Sequence, residues 1–459
     1  MRKKWIALSL ALALVLSLCA VSALAGEEDT SQATETEENA DSPDSEASEQ
    51  PEGSGGTEKN PEEEAASPAG PDAPTETDPE TGEPIDTNYV PDPVGSATFE
   101  NVERRMRENN LSVLAIQESV DMLESLDYAD MQEDLRKQLN QLAKAQWYMV
   151  LMGQHGTLAY EQMDQAYTAV EDQFDAIRDG EMQEDNADTL RQLNNLEDQI
   201  ILSGEATYIA VKAMEIQEAS LQRQLEAMNR TVEEMELRYQ LGQISALQLS
   251  ETKAGQSSLA SGLATLRMNL ETYKAQLQML LGAEMNGQLT LGDVPAVTEE
   301  QLSAMDLEAD LEAAKAQSYE LLDASRTLED EREAYKEAGD RYAYSEKEMA
   351  FRQAKHTWQA AQYNYNNTVQ DYERRFRTLY AQVNDYYQIW QASLVSLESE
   401  KLSYAAEELK YQQGPISHNA LLTAQDELSD AQETVQSAAN DLFSAYNTYC
   451  WAVQHGILN

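Results

Sequence analysis

The sequence predicts an all-α protein of long antiparallel helical hairpins and coiled coils in two tandem repeats, with little or no β-structure. Three observations carry this. Beyond residue 95 only Pro295 and Pro415 interrupt a chain rich in Ala, Leu, Glu, Gln, Met and Tyr, which is helix-forming material throughout. Leu259, Leu263, Leu266, Leu270, Tyr273, Leu277 and Leu280 alternate steps of four and three, the seam of a helix packed lengthwise on other helices. The phrase YQLGQIS at 239–245 returns as YQQGPIS at 411–417, 172 residues later, and the same offset carries the seam onto Ala431, Val435, Ala438, Leu442, Ala445, Tyr449 and Ala452. A direct duplication accounts for both matches.

From the N-terminus, residues 1–25 read as an export signal. Arg2, Lys3 and Lys4 precede an apolar run from Trp5 to Val21, and Ala23-Leu24-Ala25 offers small residues for cleavage. Lipidation at Cys19 is the alternative, disfavoured by the bulk of Leu18 before it. If Cys19 leaves with the signal, Cys450 alone remains and no intrachain disulfide forms. Residues 26–95 hold 22 acidic residues against one Lys, and ten of the twelve prolines. Such a segment buries too little apolar surface to offset its ordering entropy, so a disordered acidic spacer is expected, with a span of about 45 Å as a flexible coil.

The first helical repeat is assigned to 96–286 and the second to 305–459. A surface linker at 287–304, marked by Gly287, Gly292 and Pro295, joins them. Asn101 to Glu124 and Leu307 to Arg332 open the two repeats as amphipathic helices. The first repeat is the longer, and the excess is expected around RDGEMQEDNAD at 178–188. Leu221, Leu225, Met228, Val232, Met235 and Tyr239 then continue a seam along 187–241, a rod of about 80 Å if unbroken. At its end Gly242 supplies the left-handed conformation that closes a helix, as Gly414 does in the second copy, where Pro415 also forbids continuation. Ser245 and Ser417 are the expected N-caps of the returning helices. Ile244 with Leu249, and Ile416 with Leu421, have the spacing of a hydrophobic staple, and Gln248 completes a capping box in the first copy only, since Ala420 takes its place in the second. The second seam has smaller residues, so tighter packing is expected there.

At this point the chain resembles the TolC-like outer-membrane efflux family. The resemblance rests on ELRYQLGQISALQLSETKAGQSSLASGLATLRMNLETYKAQLQMLLG at 236–282 and ELKYQQGPISHNALLTAQDELSDAQETVQSAANDLFSAYNTYCWAVQHGIL at 408–458. It implies a homotrimer whose hairpins form a hollow tube, the exit duct of an export system with a periplasmic adaptor and an energised inner pump, located in the outer membrane. By that likeness Tyr239, Gly242, Gln243, Ile244 and Ser245, with Tyr411, Gly414, Pro415, Ile416 and Ser417, are adaptor-contact tips; read from the residues alone they are equally well-made turns. Two departures stand out. Family members close the tip with acidic residues, whereas Gln248, Ala420 and Thr423 stand at those positions here, leaving Glu251 as the one carboxylate. The family's anchor is a β-barrel of two strands per repeat. Here WYMVLMGQHGTLAY at 147–160 lacks the alternation a spanning strand needs, and 335–361 reads as charged helix, so no barrel is expected and no anchor is evident.

Catalysis is not indicated. His155, His356, His418 and His455 are isolated from one another and from Cys450, without ligand-like or triad-like spacing, and no phosphate-binding glycine loop occurs, so neither metal nor cofactor is expected. Nucleic acid is excluded as a partner by a formal charge of −51, because phosphate recognition needs a basic surface. The 22 tyrosines against five phenylalanines suit surfaces packed on one edge and wet on the other, such as subunit or partner interfaces, although helix packing uses them too. Two function classes remain: a duct component, and an exported helical scaffold of the cell envelope without a pore.

Overall fold

A computed structural model describes residues 92–283 and 289–458. The expected export signal, Cys19, residues 26–91 of the spacer, Gly287 and Asn459 lie outside the described residues. A 3₁₀ turn at Phe99–Asn101 leads into α1 (Val102–Asn109) and α2 (Leu111–Glu124). Helices α3 (Tyr128–Leu151) and α4 (Leu158–Arg178) follow, then the long α5 (Glu181–Gln240) and its return α6 (Ala246–Leu280). A short α7 (Glu299–Ala304) ends the linker stretch, and α8 (Leu307–Gln317), α9 (Tyr319–Tyr342), the long α10 (Met349–Gln413) and its return α11 (His418–His455) follow. Among the described residues the strands are two: β1 (Ser96–Ala97) and β2 (Thr290–Leu291), paired in parallel. The fold is all-α, in two repeats of paired rods.

The body is a layer of four rods in the order α6, α5, α11, α10. Ion pairs fix its register. Arg267 reaches Glu218 and Lys253 reaches Glu236 between α6 and α5. Across to α11, Arg230 pairs with Asp426 and Arg223 with Glu433 and Asp430, and a hydrogen-bond contact joins His455 to Asp198. As numbers fall along α5 they rise along α11, so the two rods are antiparallel. Extending that register places the turn after α5 level with the turn after α10. All fourteen seam positions of α6 and α11 are partly or fully buried. Tyr239, at the end of the α5 seam, is instead 45% exposed. The small residues of the second seam have a reason that periodicity alone does not show: α11 packs on both sides, against α5 and α10, whereas α6 packs on α5 alone among the long rods.

Two apolar cores sit at the level where the opening helices meet the rods. One gathers Phe99, Val102, Met106, Ile201, Leu277 and Trp451; the other gathers Leu311, Ala314, Tyr372, Phe376, Leu442 and Tyr449. Each opening helix, expected as continuous, is broken. Asn110 is buried and caps α2 by accepting from Ser112 N and Val113 N, while its Nδ2 donates to Leu280 O at 2.9 Å. Ser318 is buried and caps α9 through Leu321 N. Both breaks lie against a glycine that ends a returning rod: Gly282 beside Asn109 and Gly456 beside Gln317 and Ser318. The chain bends there because two helix ends meet backbone to backbone. At the N-terminal edge, Asp92, inside the stretch expected as spacer, takes hydrogen bonds from Thr98 and Asn101 and an ion pair from Arg105. Asp92 is therefore tied to the helical body, and the linker is likewise tied down, since Leu289 and Leu291 are buried.

The regions considered for spanning strands are each a helix, a turn and a helix. In the first repeat a separate α3–α4 hairpin stands ahead of 178–188, where the second repeat folds back directly from α9 into the long α10. Tyr128 OH accepts from Asn186 near the start of α5, and the 24 residues of α3, about 36 Å, bury no side chain. Its partner is α4. In the second repeat α9 passes Asp188 at Arg326 and pairs with the first third of α10, with Tyr335 stacked on Trp358 at a centroid separation of 4.8 Å. Both hairpins thus project past the start of α5, at the end opposite the turns that follow α5 and α10. Among the described residues no helix is long and apolar enough to cross a membrane.

Candidate functional site

The twin turns are built from the same parts but close differently. In the first, Leu241 caps α5 and Gly242 adopts φ +71°. Gly242 N donates to Tyr239 O at 2.9 Å and Gln243 N to Arg238 O at 2.8 Å, the paired bonds of a Schellman closure. In the second, Gly414 adopts φ +91° and donates to Tyr411 O at 3.0 Å. The second bond has no donor, because Pro415 stands where Gln243 stands in the first copy. Proline instead fixes the exit direction by its locked φ. The returning helices start as expected. Ser245 accepts from Gln248 N and the Gln248 side chain accepts from Ser245 N, a full capping box, whereas Ser417 has the single bond from Ala420 N. Replacing Ser245 by alanine is expected to lower stability by about 1 kcal/mol, and Ser417 by somewhat less, as read by chemical unfolding.

The ten tip residues lie together in two groups at one end of the four-rod layer. Within each loop the isoleucine is the partly buried point: Ile244 and Ile416 face inward, as do Leu249 and Leu421 five residues on, while Gly242, Gln243, Ser245, Gly414, Pro415 and Ser417 are exposed. Nothing lies within 4 Å of the position a Cβ would take at Gly242 or Gly414. These glycines serve φ alone. Tyr411 is 40% exposed and its ring meets His418 at 5.7 Å, tying the two sides of the second turn.

Apolar residues that the turn chemistry does not explain surround the tips. Leu237, Leu241 and Leu247 are 57%, 63% and 68% exposed, and Leu409 is 54% exposed. A turn needs its glycine, cap and staple, and none of these leucines is one of them. The seam reading missed them because they fall off the packed stripe; apolar residues at off-seam positions were the available signal. Gln248 is engaged in its cap and Thr423 Oγ1 donates to Asn419 O.

Further up the layer a polar cluster joins α5 to α11. Glu205 is buried, and its Oε2 accepts from Asn447 Nδ2 and Trp451 Nε1, both at 2.7 Å. Burial pushes its carboxyl up from the ordinary range, against the lowering by these two donors. Burial also raises the Cys450 thiol, which is free and half-buried. His455 Nδ1 lies 2.7 Å from Asp198 Oδ2, and its ring packs on Trp451. Among the described residues no group of three His, Cys, Asp or Glu side chains is placed to hold a metal ion.

Searched against known proteins, the chain matches no family model and no curated protein. Solved structures to which it is similar include the outer membrane protein VceC of Vibrio cholerae, at 14% identity over 59% of this chain and 74% of that one, with a TM-score of 0.40. CusC is 15% identical over 78% of this chain and 95% of its own, with a TM-score of 0.47. The MtrE outer membrane channel of Neisseria gonorrhoeae is 14% identical over 78% and 88%, with a TM-score of 0.39.

Proposed function

We propose that the chain is one subunit of a tubular exit duct in an export system of the cell envelope, working with an adaptor at its twin turns and an energised pump beneath. One observation carries this reading: the four-rod layer is open, and both of its edges bear an unpaired, uncharged heptad face. On α10 the face is Val395, Leu402 and Leu409, spaced by seven and 73%, 70% and 54% exposed, with Ile389 above them. On α6 it is Leu247, Ala254, Ser261 and Met268, also spaced by seven.

If copies stand side by side at one height, the register of the layer brings Leu247, Ala254, Ser261 and Met268 level with Leu409, Leu402, Val395 and Ile389. At the two middle levels a large residue faces a small one, Leu402 against Ala254 and Val395 against Ser261, and at the two outer levels large apolar residues meet, a face suited to close packing. Such an edge-to-edge contact uses different surfaces on the two partners. It therefore propagates until it closes into a ring, and a ring of upright rods encloses a channel. Three copies are the number the sequence resemblance implies. The exposed leucines at the tips supply the adaptor surface, and the duct itself has no need of catalytic groups.

The test is the mass of the purified chain in solution, followed by imaging of the assembly along its axis. A closed oligomer with a hollow centre is expected. Replacing Val395 and Leu402 together by glutamate is expected to release monomers with unchanged helicity, since both side chains are already in solvent within one chain. A monomeric wild type, or an assembly indifferent to the double substitution, overturns the duct and leaves the pore-free scaffold.

A further inference from the structure

We propose that the tip of the α3–α4 hairpin is a membrane-surface docking element that seats in the headgroup layer of an anionic bilayer. The inference stands apart from the duct reading, because it concerns the opposite end of the chain and holds for a single copy.

Charge points to it first. Residues 135–160 contain Arg136, Lys137 and Lys144 and no acidic residue, within a chain of net charge −51. From 145 to 160 there is no charged side chain at all. Lys137 is paired with Glu133 and Asp134, and Asp164 on α4 accepts from Gln146, so the end of α3 and the turn beyond it are neutral but for Lys144, within an acidic molecule. The counterpart hairpin does not share this pattern: its turn carries Glu346, Lys347 and Glu348. A neutral end holds the acidic side chains back from negatively charged headgroups, whose repulsion decays within a Debye length, and Lys144 beside the tip adds attraction there.

Exposure points the same way. Trp147, Tyr148, Leu151, Met152 and Leu158 are 61%, 62%, 62%, 73% and 70% exposed, and they ring a turn opened by Gly153 and Gly156 at positive φ. Lys144, Tyr148 and Leu151 share one face of α3, being four and three residues apart. Trp and Tyr are the residues that favour the boundary between water and hydrocarbon. The shape of the feature also matters. It is the convex end of a hairpin that projects past the start of α5 on a helix about 36 Å long, whereas side-by-side packing of copies covers the flanks of rods. Shallow insertion of one aromatic and aliphatic tip needs no spanning helix.

The experiment is flotation of the mature, full-length chain with vesicles of equal parts phosphatidylglycerol and phosphatidylcholine, and with phosphatidylcholine alone. The chain is expected to float with the anionic vesicles, less with the neutral ones, and less in both as salt rises. Trp147→Gln and Leu151→Gln are each expected to lower partition about tenfold, and Lys144→Gln by a smaller factor, all with unchanged helicity. Met349→Gln, on the charged turn of the other hairpin, is expected to leave partition unchanged. Failure to bind either vesicle, or binding indifferent to the tip substitutions, overturns the proposal. So does a shift of oligomeric mass by the tip variants without loss of partition, which assigns the tip to a contact between copies.

Discussion

Gly456→Ala is expected to destabilise the chain by about 3–5 kcal/mol, several times the effect of the same change at Gly414. Both glycines end a long rod in the left-handed region, at φ +68° and +91°, so both variants carry the strain of a side chain at positive φ. The difference is what lies beyond. At Gly414 an added Cβ meets nothing within 4 Å, while at Gly456 it overlaps backbone atoms of Gln317 and Ser318. Backbone cannot rotate away as a long side chain can, so α8 and α9 must separate from the end of α11. The same joint holds Tyr372 OH, 3.0 Å from Gly456 O and 3.1 Å from Ala314 O, and the Arg375 guanidinium on Leu458 O. Opening it disturbs the second core. Gly282, whose Cβ overlaps Asn109, is expected to behave like Gly456, and Gly242 like Gly414. Chemical unfolding of the four alanine variants, followed by helical signal, measures the contrast. Equal losses at all four sites would mean that φ strain alone governs them and that the two joints are not close-packed.

That contrast also marks how far the sequence could be read. The rods, seams, glycine turns and serine caps were legible because each is a local pattern repeated at a fixed offset: a period near 3.5, a residue able to take positive φ, an oxygen three residues before a backbone donor. The first turn's capping box and its absence in the second followed from Gln248 and Ala420 alone. The breaks at Asn110 and Ser318 were not legible, because their cause lies about 140–170 residues away, in the ends of α6 and α11 that press against them. The α3–α4 hairpin was underestimated for a related reason. Its helices bury almost nothing, so the apolar stripe that signals a packed helix is faint there, and the uncharged run at its tip read only as a poor strand. At the candidate site the turn residues were found by their chemistry, but the exposed Leu237, Leu241 and Leu409 beside them were not, since exposure is a property of the assembled layer.

Glu205→Ala is the second substitution expected to act strongly, with a loss of about 2–4 kcal/mol at neutral pH. The glutamate is 5% exposed and is the acceptor for Asn447 Nδ2 and Trp451 Nε1. Removing it leaves two donors on α11 without that partner, one of them on a tryptophan that is 6% exposed, and opens space between α5 and α11. Glu205→Gln keeps an oxygen for the two donors and is expected to cost much less. The pair of variants also isolates a pH effect. Because burial raises the folded-state pKa of Glu205, the folded chain holds this proton at pH values where the unfolded chain, with an ordinary value near 4.3, has released it. Stability from this group therefore falls as pH rises from the unfolded-state value through the folded one, and it is recovered on acidification through the same window. Wild type should gain on the Gln variant as pH is lowered from neutral into that window, in urea unfolding of both chains. A difference that stays flat, or one of opposite sign, would mean that the two hydrogen bonds outweigh desolvation and that the carboxylate is held ionised between the rods.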